Sequence, residues 1–295
     1  MKISIVTAYY NRKALFIKTL ESIQRQLKDH DFDLELIAVD DASNEEERLE
    51  DLVGEFPFLK IIRLKKKNKW YKNSCIPFNV GFKASKGDLI ILQNPECLHF
   101  GNILKYTSEN LVNNKYLSFG CYSLDEEPTD NIDGYISHPE KMEKLIQENN
   151  VENTQDGSNS WYNHSVIRPV AYHFCCAITR EDLFDLGGFD PAYAEGVAYD
   201  DNEFLHRIKL KKMQIEIIDN EIVLHQNHYR RKSSLNNTVS LNEKELKKRS
   251  ALLYKNEMLF KNYTLHKNTW KVDGLSGNIL KRDLLTRLKS FFKSK

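Results

Sequence analysis

From Ile3 to Leu92, short apolar runs rich in β-branched residues alternate with segments of helical period. Ile3–Ala8 reads as a buried strand, and Leu15, Leu20, Ile23 and Leu27 then recur at helical spacing. Leu34–Val39 and Leu59–Leu64 are further strands; Asn79–Ser85 reads as a helix closed by Lys86-Gly87, and Asp88–Leu92 as a fourth strand. Ser43 and Asn44, followed by Glu45, Glu46 and Glu47, predict a capped helix after the second strand. Strands alternating with helices build βαβ units on a mostly parallel sheet, hence an α/β fold. Ligands of such sheets sit beyond the carboxyl ends of the strands. This chain places polar residues there: Tyr9–Arg12, Asp40-Asp41 and Asn94–Glu96.

Farther on, Phe174–Ile178 reads as a strand and Arg180–Leu186 as a short helix ended by Gly187-Gly188. Asp200 or Asp201 opens another helix, with Phe204 and Ile208 on its inner face, and Ile215–Ile218 and Ile222–Leu224 read as strands. The polar stretch Leu124–Asn159 predicts loops around a helix at Glu140–Glu148. From about Tyr229 the texture turns basic and amide-rich, with helices expected at Glu243–Lys261 and Ile279–Lys293. Residues 1–230 therefore read as one domain and 231–295 as a helical appendage.

Lys and Arg number 43 against 42 Asp and Glu, a formal charge of +1, which supplies no global basic field for nucleic acid. Cys75, Cys97, Cys121, Cys175 and Cys176 are odd in number and contain no C-x-x-C pair, so buried reduced thiols are expected rather than disulfides or a zinc knuckle. Met1-Lys2 runs directly into Ile3–Val6, too short for a secretory apolar region, and no apolar stretch has the length of a bilayer span. A cytoplasmic location is the expectation. The basic tail Ile279–Lys295 brings Leu280, Leu284, Leu288, Phe291 and Phe292 near one helix face. It suits peripheral contact with an anionic membrane surface, or docking on the catalytic domain or on a second copy in a homo-oligomer.

Several groups carry chemistry of their own. Asp40 and Asp41, following a buried strand, suit hydrogen bonds to a pyrimidine imide or a ribose, or else cap a helix. Asn79 and Lys83 suit contact with an anionic group, Lys83 being otherwise simply solvated. Trp161 offers a ring face on which a sugar ring can stack, or packs in a core. His164 and His173 read as structural histidines.

The segments Ser4–Arg12, Val39–Ser43, Asn79–Asp88, Gly187–Asp190 and Tyr199–Phe204 follow an order and spacing that resembles glycosyltransferase family 2. These are inverting enzymes with the GT-A fold, a Rossmann-like sheet flanked by helices. The resemblance implies that Asp41 contacts the donor base and that Thr7, Ala8 and Tyr9 line the same pocket. Asn11, Arg12, Asp40, Gln93 and Asn94 fall on the donor side of the same pattern. Asp201 becomes the general base, and Asp200 orients the acceptor. The resemblance also implies Mn²⁺ or Mg²⁺ at the end of the fourth strand. Where the family usually has Asp-x-Asp, this chain has Asn94-Pro95-Glu96, leaving Glu96 as a charged ligand and Asn94 as a neutral one. His225 is the implied third ligand, with His228 the alternative. The expected function is transfer of a sugar from a nucleotide diphosphate sugar, a UDP-sugar favoured, to a hydroxyl of a glycan or lipid-linked acceptor. The altered metal motif leaves a catalytically inactive sugar-nucleotide or glycan-binding module as the alternative.

Overall fold

The computed structural model describes residues 1–29, 32–228 and 243–281. Its strands are β1 (Lys2–Tyr9), β2 (Asp33–Asp40), β3 (Leu59–Arg63), β4 (Leu89–Gln93), β5 (Cys97–His99), β6 (Lys115–Ser123), β7 (Ser160–Asn163), β8 (Cys175–Thr179) and β9 (Gln214–His225). Its helices are α1 (Lys13–Asp29), α2 (Cys75–Ala84), α3 (Ile103–Asn110), α4 (Glu126–Asp130), α5 (Ile132–Ser137), α6 (Pro139–Glu148), α7 (Arg180–Leu186), α8 (Asp200–Leu210) and α9 (Glu243–Asn262). The strands form one sheet in the order β3-β2-β1-β4-β8-β6-β9-β5, with β7 paired to β6. β3, β2, β1 and β4 run parallel. Beyond β4 the sheet is mixed: β8 is antiparallel to β4 and β6, and β5 is antiparallel to β9.

Ile3 and Ile5 of β1, Leu36 and Ala38 of β2, and Leu89 and Ile91 of β4 pack with Phe16, Leu20 and Ile23 of α1. Their neighbours Val6, Ile37, Val39, Ile90 and Leu92 pack on the other face with Phe78 and Phe82 of α2 and Phe204 and Ile208 of α8. With both faces covered, apolar residues face both ways along each strand, with buried polar exceptions such as Ser4, Thr7 and Glu35, which is why these strands read as nearly continuous apolar runs. A third cluster joins Leu98, Tyr122, Trp161 and Leu224 to Met142 of α6. All five cysteines are free and buried.

The helix expected after β2 is absent; residues 45–47 and 50–52 form only single 3₁₀ turns, and the Asn44 side chain caps nothing. The reason is local competition. Glu47 turns inward, where its carboxylate accepts from the Lys13 N–H at 2.8 Å and its carbonyl from the Tyr9 hydroxyl at 2.7 Å. It thereby satisfies a free N–H at the start of α1 instead of building a helix of its own. The two strands expected at Ile215–Ile218 and Ile222–Leu224 are one strand. Phe119 of β6 faces Ile218 and Gly120 faces Ile222, so Asp219–Glu221 bulge out of the ladder.

The C-terminal segment joins the same core. Trp270, Leu275, Ile279 and Leu280 pack against the second cluster, across the boundary expected at residue 230. Arg207 of α8, 1% exposed, binds both oxygens of Glu203 at 2.7 and 2.9 Å. It also donates to the carbonyls of Leu186, Gly188 and Trp270 at 2.8, 2.7 and 3.2 Å. Arg207→Met would leave Glu203 buried and unpaired and should destabilise the fold by about 3–5 kcal/mol. Urea unfolding reads this as a lower midpoint at constant slope; an unchanged midpoint would make the network incidental. From residue 282 onward the basic amphipathic tail lies outside the described residues. No helix among the described residues is long and apolar enough to cross a membrane.

Candidate active site

The site lies beyond the carboxyl ends of β1, β2 and β4. After β4, Asn94-Pro95 turns the chain so that Glu96 precedes β5. Pairing of Cys97 with His225 then brings Glu96 beside the end of β9. Gln226 secures the approach: its side chain donates to the Glu96 carbonyl at 3.1 Å and to the Leu15 carbonyl at 3.0 Å. Glu96 Oε1 lies 3.2 Å from Nε2 of His225 and 3.2 Å from Nε2 of His228. Its Oε2 accepts from Arg12 Nη1 at 2.6 Å. Glu96 and both histidines are buried.

The donor atoms of Glu96, His225 and His228 all lie within 4.8 Å of one another. The two histidines, alternatives in the sequence, converge on one carboxylate. Burial pushes the Glu96 carboxyl up, but Arg12 and the imidazoles outweigh it and hold the group well below the usual range. Burial, then Arg12, push His228 down to about 4. A charged carboxylate beside a neutral imidazole is the state in which such groups ligate metal. Two imidazole nitrogens suit a first-row transition ion and the carboxylate oxygen suits Mn²⁺, so of the two implied ions the residues fit Mn²⁺ better than Mg²⁺, which favours oxygen ligands. Asn94 is half-buried. Its N–H donates to the Phe174 carbonyl at 3.0 Å and its carbonyl accepts from the Cys97 N–H at 3.1 Å.

On the donor side the two aspartates part company. Asp40 is fully buried; its carboxylate accepts from the Ser43 N–H at 2.8 Å and pairs with Arg63 at 2.7 Å, so it holds the loop after β2. Asp41 is more open, with Lys69 Nζ on Oδ2 at 2.6 Å and the Tyr71 hydroxyl on Oδ1 at 2.7 Å. Lys69 Nζ also lies 4.9 Å from the Tyr10 ring centre. Lys69, Tyr71 and Tyr10 were not singled out in the sequence; the run Lys65–Lys72, basic with an embedded Trp-Tyr pair, was the available signal. Thr7 is fully buried and its hydroxyl has no hydrogen-bond partner among the described residues. Ala8 is half-buried and Tyr9 buried. Asn11 adopts φ +47° and donates its N–H to Ser43 Oγ at 3.1 Å.

Other expected donor residues are engaged within the protein. The Asn79 side chain donates to the Phe189 carbonyl and accepts from the Phe189 N–H, both at 2.8 Å, tying α2 to the turn after α7. Gln93 is fully buried, 2.7 Å from His99 Nε2, and donates to the Cys97 carbonyl at 3.3 Å. Lys83 Nζ bonds the Gly277 carbonyl at 2.7 Å on the surface. Trp161, expected at the acceptor, is 4% exposed inside the third cluster, with Nε1 on Asn150 Oδ1 at 2.8 Å. Asn79, Gln93 and Trp161 join the packing, because buried polar groups must find partners, whereas Lys83 stays on the surface.

Asp200 and Asp201 open α8 after two strained residues: Ala198 has φ +55° and Tyr199 φ +63°. Such conformations cost about 1–3 kcal/mol each for residues other than glycine. Asp200 Oδ1 accepts from Asn73 Nδ2 at 2.9 Å, and Oδ2 lies 3.9 Å from His173 Nε2. Asp201 is half-buried, and its Oδ1 accepts from the Asn202 N–H at 3.0 Å. Loss of solvent, then the charge of Asp200, push the Asp201 carboxyl up to about 6. A base with that affinity is poised near neutral pH.

A sequence profile of glycosyl transferase family 2 matches residues 4–170, more than half of the chain. The chain belongs to glycosyl transferase family 2. The family match contains Asp41 and Glu96, whereas Asp200, Asp201, His225 and His228 lie beyond it. Among solved structures, S. aureus TarS aligns with a TM-score of 0.52 at 14% identity, over 77% of this chain and 37% of TarS. TarS 1–349 in complex with UDP-GlcNAc aligns with a TM-score of 0.51 at 14% identity, over 81% of this chain and 62% of that one. At that identity the likeness speaks for the fold, which is GT-A, and the chain spans well under half of TarS. No curated protein matches the chain.

Proposed function

We propose that this family 2 member transfers a sugar from a nucleotide diphosphate sugar, a UDP-sugar in the first instance, to a hydroxyl of a glycan or lipid-linked acceptor, with inversion. The observation that carries the reading is the Asp200–Asp201 pair, in which one carboxylate is raised to about 6 beside a second that is held in place. Asp201 takes the proton of the acceptor hydroxyl as that oxygen attacks the anomeric carbon. The new glycosidic bond forms as the bond to the diphosphate oxygen breaks, and the bonding electrons leave with the nucleoside diphosphate. Asp200, anchored by Asn73, orients the acceptor.

On the donor side, Asp41 offers an acceptor beside the Lys69 donor. That pair complements an N–H next to a carbonyl, an edge present in uracil and guanine. TarS, which shares the fold, has been solved with UDP-GlcNAc. Arg12 places a guanidinium beside Glu96, where it can offset diphosphate charge. Glu96, His225 and His228 would hold Mn²⁺ or Mg²⁺, which when bound offsets charge on the departing diphosphate.

Asp41→Ala should raise the Kd for UDP by about 10–100-fold and leave kcat within a few-fold, measured by calorimetry and saturation kinetics. Equal affinities would confine Asp41 to its contacts with Lys69 and Tyr71. The reading as a whole is tested by thermal shift with a panel of UDP- and GDP-sugars, with and without Mn²⁺. The nucleotide sugar that raises Tm most should be consumed when acceptor is added. A panel in which none raises Tm would reject it.

A further inference from the structure

α9 is docked to the body of the molecule in an unusual way. Residues 244–250 are exposed, and Asn256 is the one fully buried residue among the described side chains of the helix. An apolar stripe would hold a helix without direction; a buried amide holds it in one place. Asn256 Nδ2 donates to the carbonyls of Ala198 at 2.8 Å and Tyr193 at 3.1 Å. The Val197 N–H donates in turn to the Leu252 carbonyl at 3.1 Å. Gly196 permits this closeness, since a Cβ there would collide with the Asn256 amide. Asn256 Oδ1 has no hydrogen-bond partner among the described residues. A buried acceptor left unpaired detracts from stability, so the role of the residue lies in what its NH₂ group holds.

What it holds is the strained peptide before the acid pair. Ala198 and Tyr199, both at positive φ, immediately precede Asp200 and Asp201. The same Ala198 carbonyl also receives Asn73 Nδ2 at 3.3 Å, and Asn73 binds Asp200 at 2.9 Å. Two amides, one before α2 and one from α9, thus converge on the entry to α8.

We propose that Asn256 is a positioning residue for the acceptor-side carboxylates, which makes α9 part of the catalytic apparatus. The inference rests on the reading of Asp201 as the base. Without the Asn256 hydrogen bonds, Ala198 and Tyr199 relax toward negative φ and the first turn of α8 swings with them.

Three full-length variants test this: Asn256→Ala, Asn256→Ala with Ala198→Gly, and Asp201→Asn. Glycine takes positive φ without strain, so Ala198→Gly should recover part of the held population when the clamp is gone. In Asn256→Ala, amide exchange across residues 196–203 should rise at least about tenfold while α2 and β4 keep their protection. The double variant should lie between Asn256→Ala and wild type. With the nucleotide sugar that raises Tm most as donor and p-nitrophenyl glycosides as acceptors, kcat of Asn256→Ala should fall about 10–100-fold at unchanged UDP affinity. Wild-type exchange over residues 196–203 would overturn the proposal. So would a general rise in exchange that glycine at position 198 does not correct. Should Asp201→Asn keep full turnover, the base assignment fails, and the exchange result still decides whether Asn256 holds the loop.

Discussion

Asp201→Asn should lower kcat by about 10²–10⁴-fold, with UDP affinity essentially unchanged. The amide keeps the shape and loses the basicity, and Asp201 sits on the acceptor side rather than among the donor contacts. The acid limb of the wild-type kcat profile should lie near pH 6, where Asp201 takes up its proton. The groups facing it explain the position: Asp200 repels its charge, His173 stabilises it, and Tyr116, Tyr172 and Cys176 surround it. The same shift has a stability sign. A carboxyl that binds its proton more tightly when folded destabilises the fold above its folded value, and that penalty fades as pH falls from about 6 toward 3.8. Asp201→Asn should therefore raise stability at pH 7 by about 1–3 kcal/mol while removing activity. A variant that loses both turnover and stability would place Asp201 in the scaffold, and one that retains turnover would exclude it as the base.

Chelation should have an effect of the same order. Excess EDTA should bring transfer to background, and Mn²⁺ should restore it. Glu96 is the charged member of the cluster, held between Arg12 and two imidazoles. Glu96→Gln removes that charge and should raise the Mn²⁺ concentration for half-maximal activity by about 10–100-fold. His225→Ala and His228→Ala should act in the same direction, because both imidazoles reach the same carboxylate oxygen. With only one carboxylate in the set, a bound metal would draw further oxygens from the donor phosphates, so metal and UDP should each tighten the other by the same factor. Calorimetry of UDP with and without Mn²⁺ reads this without any turnover. Full activity in EDTA together with metal-independent UDP affinity would leave Arg12 and nearby lysines as the diphosphate partners.

The parallel half of the sheet was legible because burial on both faces writes apolar residues at most positions of β1, β2 and β4. α7 was legible end to end: Thr179 caps it by accepting from the Asp182 N–H, and Gly187 closes it at φ +79°. β6 was not, because Ser118, Gly120 and Ser123 interrupt its apolar run. β5, with three residues, is too short to show a period. The missing helix after β2 turns on Glu47, whose preference for the start of α1 depends on residues distant in sequence. At the site, Asp200-Asp201 and Glu96 stood out by type and place. Asn79 and Gln93 have the same chemistry as ligands, and only their partners, Phe189 and His99, reveal them as internal. The convergence of His225 and His228 depends on the irregular backbone after β9, which carries no repeating pattern. Asn256 gave no sequence signal, since one amide in a lysine-rich helix resembles any solvated residue.

The bulge in β9 divides that strand into a part that tolerates changes of length and a part that does not. Asp219–Glu221 already stand outside the ladder, so a residue inserted among them enlarges the excursion and leaves His225 opposite Ser123. The same insertion between Ile222 and Leu224 turns each later side chain to the opposite face and sets Leu224 where His225 stands. Insertions and deletions accepted over evolutionary time should accordingly collect before Ile222 and stop there. The four residues from Ile222 to His225 act as a ruler between the bulge and the carboxylate of Glu96.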